Sequence, residues 1–217
     1  MSDTQIELSV QTILTECDIS DKFTEKTAEF LHYIMAANQT LNLMSRKLTA
    51  NDILTDHVRD CLIGAKFFKE YNNIADLGTG GGFPGILLAI VYPDKHFDLF
   101  DKSVRKCEYL TNAKRDLHLT NIDIHNGLIA ETDIRSEVIT CRAFKPIPEI
   151  VDMTKKYFNR GGRYILYKGR METIKEELAL LQRKYKSEST IVPLENLNDK
   201  ERNIVLLRKF GERVEQK

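Results

Sequence analysis

Residues 74–86, Ile-Ala-Asp-Leu-Gly-Thr-Gly-Gly-Gly-Phe-Pro-Gly-Ile, constrain this chain more than any other stretch. They read as a short apolar strand, a glycine loop and the start of a helix. Gly78, Gly80, Gly81, Gly82 and Gly85 fall within eight positions, so the backbone there turns tightly and a ligand approaches it without interference from Cβ atoms. Pro84 suits the first turn of the helix, where its missing N–H would be unpaired anyway. A strand, a loop of this kind and a helix form the cradle of a nucleotide-like cofactor.

Two cofactor classes fit the spacing. Gly80, Gly82 and Gly85 satisfy G-x-G-x-x-G, and Asp101 lies about 20 residues on, as a nicotinamide fingerprint asks. Against that reading, Asp76 stands at the strand end, where its charge would repel a pyrophosphate. The same carboxylate suits a cationic group such as the ammonium of S-adenosylmethionine (AdoMet). About 70 residues also precede the loop, whereas a nicotinamide fold commonly opens with its fingerprint. Charge therefore favours AdoMet over NAD.

Periodicity divides the chain at about residue 70. Before it, Ile6, Val10, Ile13 and Leu14 share one helical face, as do Phe23, Thr27, Phe30, Leu31 and Ile34. A helix is expected over 51–71, capped by Asn51 or Asp52, with Ile53, Leu54, His57, Val58, Cys61, Leu62 and Ala65 inward. Residues 1–70 are thus expected to form a helical extension packed on a core domain, 71–217. In that domain strand-like runs at 74–77, 96–100, 122–125, 138–141 and 164–167 alternate with helix-like runs at 84–91, 104–117, 148–157 and 171–185. Such alternation predicts an α/β fold with parallel strands joined by right-handed crossovers. Two further strands, 189–193 and 203–207, flank a polar turn at 195–201. A closing hairpin on a parallel sheet resembles AdoMet-dependent methyltransferases: a Rossmann-like, seven-stranded, mostly parallel sheet with an antiparallel C-terminal strand.

Composition excludes more than it selects. Lys plus Arg and Asp plus Glu both number 32, so any nucleic-acid site must be a local patch. Cys17, Cys61, Cys107 and Cys141 are scattered without a C-x-x-C pair, and neither disulfides nor a metal site is expected. No apolar stretch reaches the roughly 18–20 residues of a membrane span, and the N-terminus lacks a basic and apolar leader pattern. A cytoplasmic protein without membrane attachment is the expectation.

Ligands of open α/β sheets bind at the carboxyl ends of the strands. There lie Asp76, Gly78 and Gly80; then Asp101, placed to accept from two ribose hydroxyls or to cap the helix near Ser103; then Ile129 and Ala130, which could frame an adenine. Cys141 is a conceivable nucleophile, although a small buried side chain is the commoner reason for cysteine at a strand end. Arg142 carries a planar five-donor head into the same region, suited to a carboxylate, a phosphate, the guanine O6/N7 edge or an acidic side chain on a neighbouring loop. Among the basic residues, Lys102, Arg105 and Lys168 lie near strand ends and are the candidate RNA phosphate contacts. His57 and Asp60, one turn apart, could line the cleft.

Together these residues resemble one family, the glucose-inhibited division protein B family, also called ribosomal small subunit methyltransferase G. Its Asp-(Ile/Val)-Gly-(Ser/Thr)-Gly-x-Gly-x-Pro-Gly is matched by residues 76–85. Its His-x-x-Asp-Ser-Leu is matched by His57, Asp60 and Leu62, with Cys61 in the serine's place. Its Lys-Arg-x-x-Phe-Leu helix, Ser-Arg-Ala-Phe, Lys-Gly and closing Glu-Arg correspond to residues 105–110, 141–144, 168–169 and 201–202, with Cys141 replacing the serine. The usual acidic residue after the third strand falls at Ala130 or, shifted by one, at Glu131. The resemblance implies methyl transfer from AdoMet to N7 of a guanine in 16S ribosomal RNA or the small ribosomal subunit, by a protein expected to be monomeric. It also aligns Gly78, Phe83, Ile129, Ala130 and Arg142 with the family's cofactor contacts. Arg142 is in addition the expected catalytic residue, orienting guanine or cofactor. The alternatives are an AdoMet enzyme with another substrate and a nicotinamide oxidoreductase.

Overall fold

A computed structural model describes residues 1–194 and 200–211. Seven strands form one sheet: β1 (Asn73–Leu77), β2 (His96–Asp101), β3 (Ile122–Asn126), β4 (Val138–Arg142), β5 (Arg163–Lys168), β6 (Ser187–Pro193) and β7 (Asn203–Lys209). Their order is β3-β2-β1-β4-β5-β7-β6. The first five pair in parallel, and β7 enters antiparallel between β5 and β6. The expected hairpin is therefore present, with its later strand on the inside. Most of the expected polar turn, 195–199, lies outside the described residues.

The nine α-helical segments among the described residues are α1 (Asp3–Glu16), α2 (Thr24–Ala37), α3 (Ala50–Ile53), α4 (Asp60–Ile63), α5 (Gly85–Val91), α6 (Val104–Asp116), α7 (Ile147–Met153), α8 (Lys155–Asn159) and α9 (Met171–Gln182). They cover the two faces of the sheet. Apolar residues of α1, α2, α5 and α6 join Ile74, Phe97, Leu99 and Ile122 in one core; those of α7, α8 and α9 join Ala75, Leu77, Ile139 and Leu166 in the other. Strands buried on both faces explain why β1, β4 and β5 are near-continuous apolar runs. The N-terminal helices thus share a core with the sheet.

The structure corrects the expected helix over 51–71. It begins at Ala50, because Thr49 is the cap: its hydroxyl accepts from the Asp52 amide at 3.2 Å, and the Asp52 carboxylate takes the Thr49 amide at 2.8 Å. After Ile53 the chain widens into a π turn, Leu54–Arg59, before α4. The helix then stops at Gly64, followed by a 3-10 turn, Ala65–Phe68. Gly64 packs against β5: a Cβ there would lie 2.6 Å from the Tyr167 ring, and Tyr167 donates to the Cys61 carbonyl at 2.8 Å.

The expected helix 148–157 is likewise divided, at Thr154. Its buried hydroxyl bonds both the Ile150 carbonyl and Tyr164 Oη at 2.7 Å, and such back-bonding bends helices. Pro84 precedes α5 rather than opening it. Gly64→Ala should destabilise the fold by about 1–3 kcal/mol through overpacking against a pinned tyrosine. The midpoint of urea unfolding measures this; an unchanged midpoint would refute the close packing.

Candidate functional site

The glycine loop follows β1 and is stitched to β2. The amides of Gly78 and Thr79 donate to the Phe100 carbonyl at 2.8 and 3.1 Å, and the Gly80 amide donates to Asp101 Oδ2 at 3.1 Å. Gly78 and Gly80 hold φ of +68° and +58°, values that L side chains rarely adopt. A Cβ on Gly78 would meet the Phe144 ring at 2.2 Å, so this aromatic lies directly on the loop. A Cβ on Gly80 would find nothing closer than 3.7 Å, which makes Gly80 the open side of the loop.

Two carboxylates hold the loop from below and from the side. Asp76 is fully buried, and its Oδ2 accepts the Gly85 amide at 2.9 Å. Its Oδ1 is buried with no partner among the described residues. Burial pushes the carboxyl up to about 7. Asp76 thus stands at the expected strand end but lies beneath the loop. Asp101, 7% exposed, accepts from Ser103 N at 2.9 Å as well as from Gly80. Helix α6 is capped by Ser103 itself, whose hydroxyl accepts the Lys106 amide, so Asp101 is not that helix's cap. Ile129 is buried and Ala130 exposed in a 3-10 turn, Ile129–Glu131, after β3. The Phe83 ring faces inward, 5.4 Å from Phe30 and 5.2 Å from His57, so any cofactor contact at Phe83 falls to its main chain.

Arg142 ends β4 and is held by groups about 85 residues earlier in the chain. Its Nη1 lies 2.9 Å from His57 Nδ1, Nη2 donates to the Asp56 carbonyl, and Asp60 Oδ2 is 3.7 Å away. Arg202 pairs with the same Asp60 oxygen, and Lys200 with Asp56 at 2.6 Å. The π turn carries Asp56 and His57 into this cluster, with Asp60 at its edge. Burial, aided by Arg142, lowers the His57 pKa to about 4, leaving a neutral ring that can accept from the guanidinium through Nδ1. Burial raises the Asp60 pKa, with Arg202 and Arg142 opposing it.

Beyond Arg142 opens a cavity of about 510 Å³, bordered by Phe144, Lys168, Thr173, Glu177 and Arg202. Lys168 is not a free surface cation: it pairs with Glu177 at 2.7 Å and donates to the Lys145 carbonyl at 2.9 Å. Cys141 is buried, and burial lifts its thiol to about 12, too high for a nucleophile. Lys102, just after β2, and Arg105, in the first turn of α6, are exposed, and Lys106 Nζ would lie 3.9 Å from a Cβ on Gly80. Sequence reasoning missed Phe144, Glu177 and Lys106 as site residues. For Phe144 the available signal was its place in the 141–144 motif; in the structure Ala143, just before it, holds φ +51°. Among the described residues no helix is long and apolar enough to cross a membrane.

A family model described as rRNA small subunit methyltransferase G matches residues 23–205. Similar curated proteins include the ribosomal RNA small subunit methyltransferase G 1 of Bdellovibrio bacteriovorus, 38% identical over 82% of this chain and 87% of its own. The corresponding Brachyspira hyodysenteriae protein is 36% identical over 87% and 92%. Among solved structures, a Bacillus cereus O-methyltransferase in complex with SAH gives a TM-score of 0.58 at 16% identity, covering 83% of this chain and 91% of that one. A Streptomyces achromogenes O-methyltransferase with SAM gives 0.57 at 15%, covering 84% and 90%. At such identity the likeness establishes the fold alone, and that fold is the expected one.

The two buried groups impose opposite pH slopes on stability. His57 titrates lower when folded than its ordinary 6.5, so its contribution is full above 6.5 and lost as pH falls toward 4. Asp76 titrates higher than its ordinary 3.8, so its contribution is full below that value and lost as pH rises through about 7. Unfolding free energies measured from about pH 5 to pH 8 should therefore fall less steeply toward alkaline pH in Asp76→Asn than in the unmutated protein. Parallel profiles would show that Asp76 is not buried as a strained carboxylate.

Proposed function

The chain belongs to the rRNA small subunit methyltransferase G family, and we propose that it transfers a methyl group from AdoMet to N7 of a guanine in 16S ribosomal RNA. The observation that carries this reading is the open Gly80 face of a loop held by two buried carboxylates, with Phe144 lying on Gly78 and lining, with Arg142, the neighbouring cavity. Asp76 and Asp101 suit a cationic donor and oppose a pyrophosphate. The positive-φ cradle, open at Gly80, fits AdoMet, with Gly78, Gly80, Asp101, Ile129 and Ala130 holding it. When bound, AdoMet supplies a methyl group activated by a sulfonium.

The chain's own residues have one main task. Guanine N7 has an in-plane lone pair and no hydrogen, so attack on a methyl carbon needs no base. The neutral His57, bonded to Arg142, fits that requirement. Catalysis then comes from alignment of nucleophile and donor, an effect worth up to roughly 7–11 kcal/mol. Arg142, 17% exposed and held on three sides, is the preorganised group that orients guanine or cofactor. Lys102 and Arg105 serve as phosphate contacts, and Lys168 is withdrawn from that role by Glu177. The enzyme acts in the cytoplasm as a monomer.

AdoMet, and not NADH, should raise the melting temperature. 16S RNA from cells lacking the protein should lack one 7-methylguanosine by mass spectrometry. Arg142→Ala should lower kcat/KM for methyl transfer by about 10- to 100-fold, the loss of a charged hydrogen bond, while the fold persists. Normal turnover by a folded Arg142→Ala enzyme overturns the role given to Arg142.

A further inference from the structure

The cavity next to Arg142 carries a feature that methyl transfer itself does not require. On its wall Lys168, at the end of β5, and Glu177, in α9, form a 2.7 Å ion pair with side chains only 13% and 15% exposed. The Glu177 Oε2 atom is used twice, accepting from Lys168 and from the Ile147 amide at 2.9 Å. Among the described residues Oε1 has no hydrogen-bond partner, although Glu177 lines the cavity. Of the three N–H donors on Lys168, two are taken, by Glu177 and the Lys145 carbonyl. One donor and one acceptor are thus left side by side at the edge of a cavity whose other wall is Phe144.

We propose that this pair reads the Watson–Crick edge of the target guanine, with the Lys168 ammonium donating to O6 and Glu177 Oε1 accepting the N1–H. The assignment rests on the reading of the enzyme as a guanine N7 methyltransferase and names how that base is chosen. In guanine the acceptor O6 lies between N7 and N1–H, so a base whose N7 faces Arg142 and the glycine loop turns O6 and then N1–H away from them. Adenine presents the reverse pattern, an amine where O6 would be and a bare N1 lone pair. It would set N–H against N–H and a lone pair against a carboxylate, leaving largely buried groups unpaired. Phe144, half-buried on Gly78, offers a ring face for the base to stack on. A base seated this way must leave its helix, so the target lies in a single-stranded or unstacked segment of the RNA.

The test uses the full-length enzyme, labelled AdoMet and short synthetic RNAs spanning the methylated nucleotide mapped on 16S RNA. The target position carries guanine, inosine (O6 and N1–H kept) or 2-aminopurine (both lost). Inosine should be methylated within about threefold of guanine, and 2-aminopurine about 100-fold or more below it. Glu177→Gln retains an acceptor for the Ile147 amide and should lose about 10-fold or more in kcat/KM on guanine RNA with AdoMet affinity unchanged. Comparable rates on guanine and 2-aminopurine RNA overturn the proposal alone, and the unmutated enzyme decides this even where the variant fails to fold. An unchanged rate for a folded Glu177→Gln enzyme also overturns it alone. No methylation of the guanine RNA, either free or assembled into the small ribosomal subunit, with AdoMet bound, overturns the N7 reading and this proposal together.

Discussion

The hydrogen bonds from loop amides to two carboxylates hold this site in place. Gly80 N–H to Asp101 and Gly85 N–H to Asp76 fasten both ends of a segment that glycine would otherwise leave conformationally free. Both carboxylates stand at strand ends, on β1 and β2, so the rigidity of paired parallel strands passes directly to the loop. The cost is a deeply buried Asp76 whose second oxygen is unpaired. A polar group so placed is tolerated where binding or catalysis needs the field it creates.

A second constraint runs across the chain. Arg142 is fixed by His57, Asp56 and Asp60, and Asp60 is in turn fixed by Arg202. The π turn is what delivers this set. Its wider winding changes which side chains face the sheet, and such turns are frequent at functional sites. Phe83 completes the connection, its ring lying between Phe30 of α2 and His57. The N-terminal helices therefore border the cofactor loop and are more than a cover for one face of the sheet.

Much of this was legible in the residues. The five parallel strands, the closing hairpin and the inward faces of α1 and α2 follow from alternation and helical spacing, because burial sets both. The glycine loop and Asp101 were visible for the same local reason: fixed spacing after an apolar strand. What escaped depended on contacts between distant positions. A π turn has no period of its own in the sequence, and the stop at Gly64 is imposed by Tyr167, about a hundred residues later. Thr49 took the cap from Asn51 and Asp52 because Asp52 completes a capping box from inside the helix. Lys168 reads as a free cation until α9 brings Glu177 to it. The thiol at Cys141 looked reactive only while its burial was unknown.

The Arg142 cluster joins residues 56–60, the end of β4 and a residue just ahead of β7, the last described strand. No shorter stretch of the chain contains it. A polypeptide emerging from the ribosome can fold its glycine loop once β1 and β2 are made, yet it lacks Arg202 until about 100 further residues have followed. The arginine seat therefore waits on residue 202, and a shorter stretch of the chain could form the glycine loop without it.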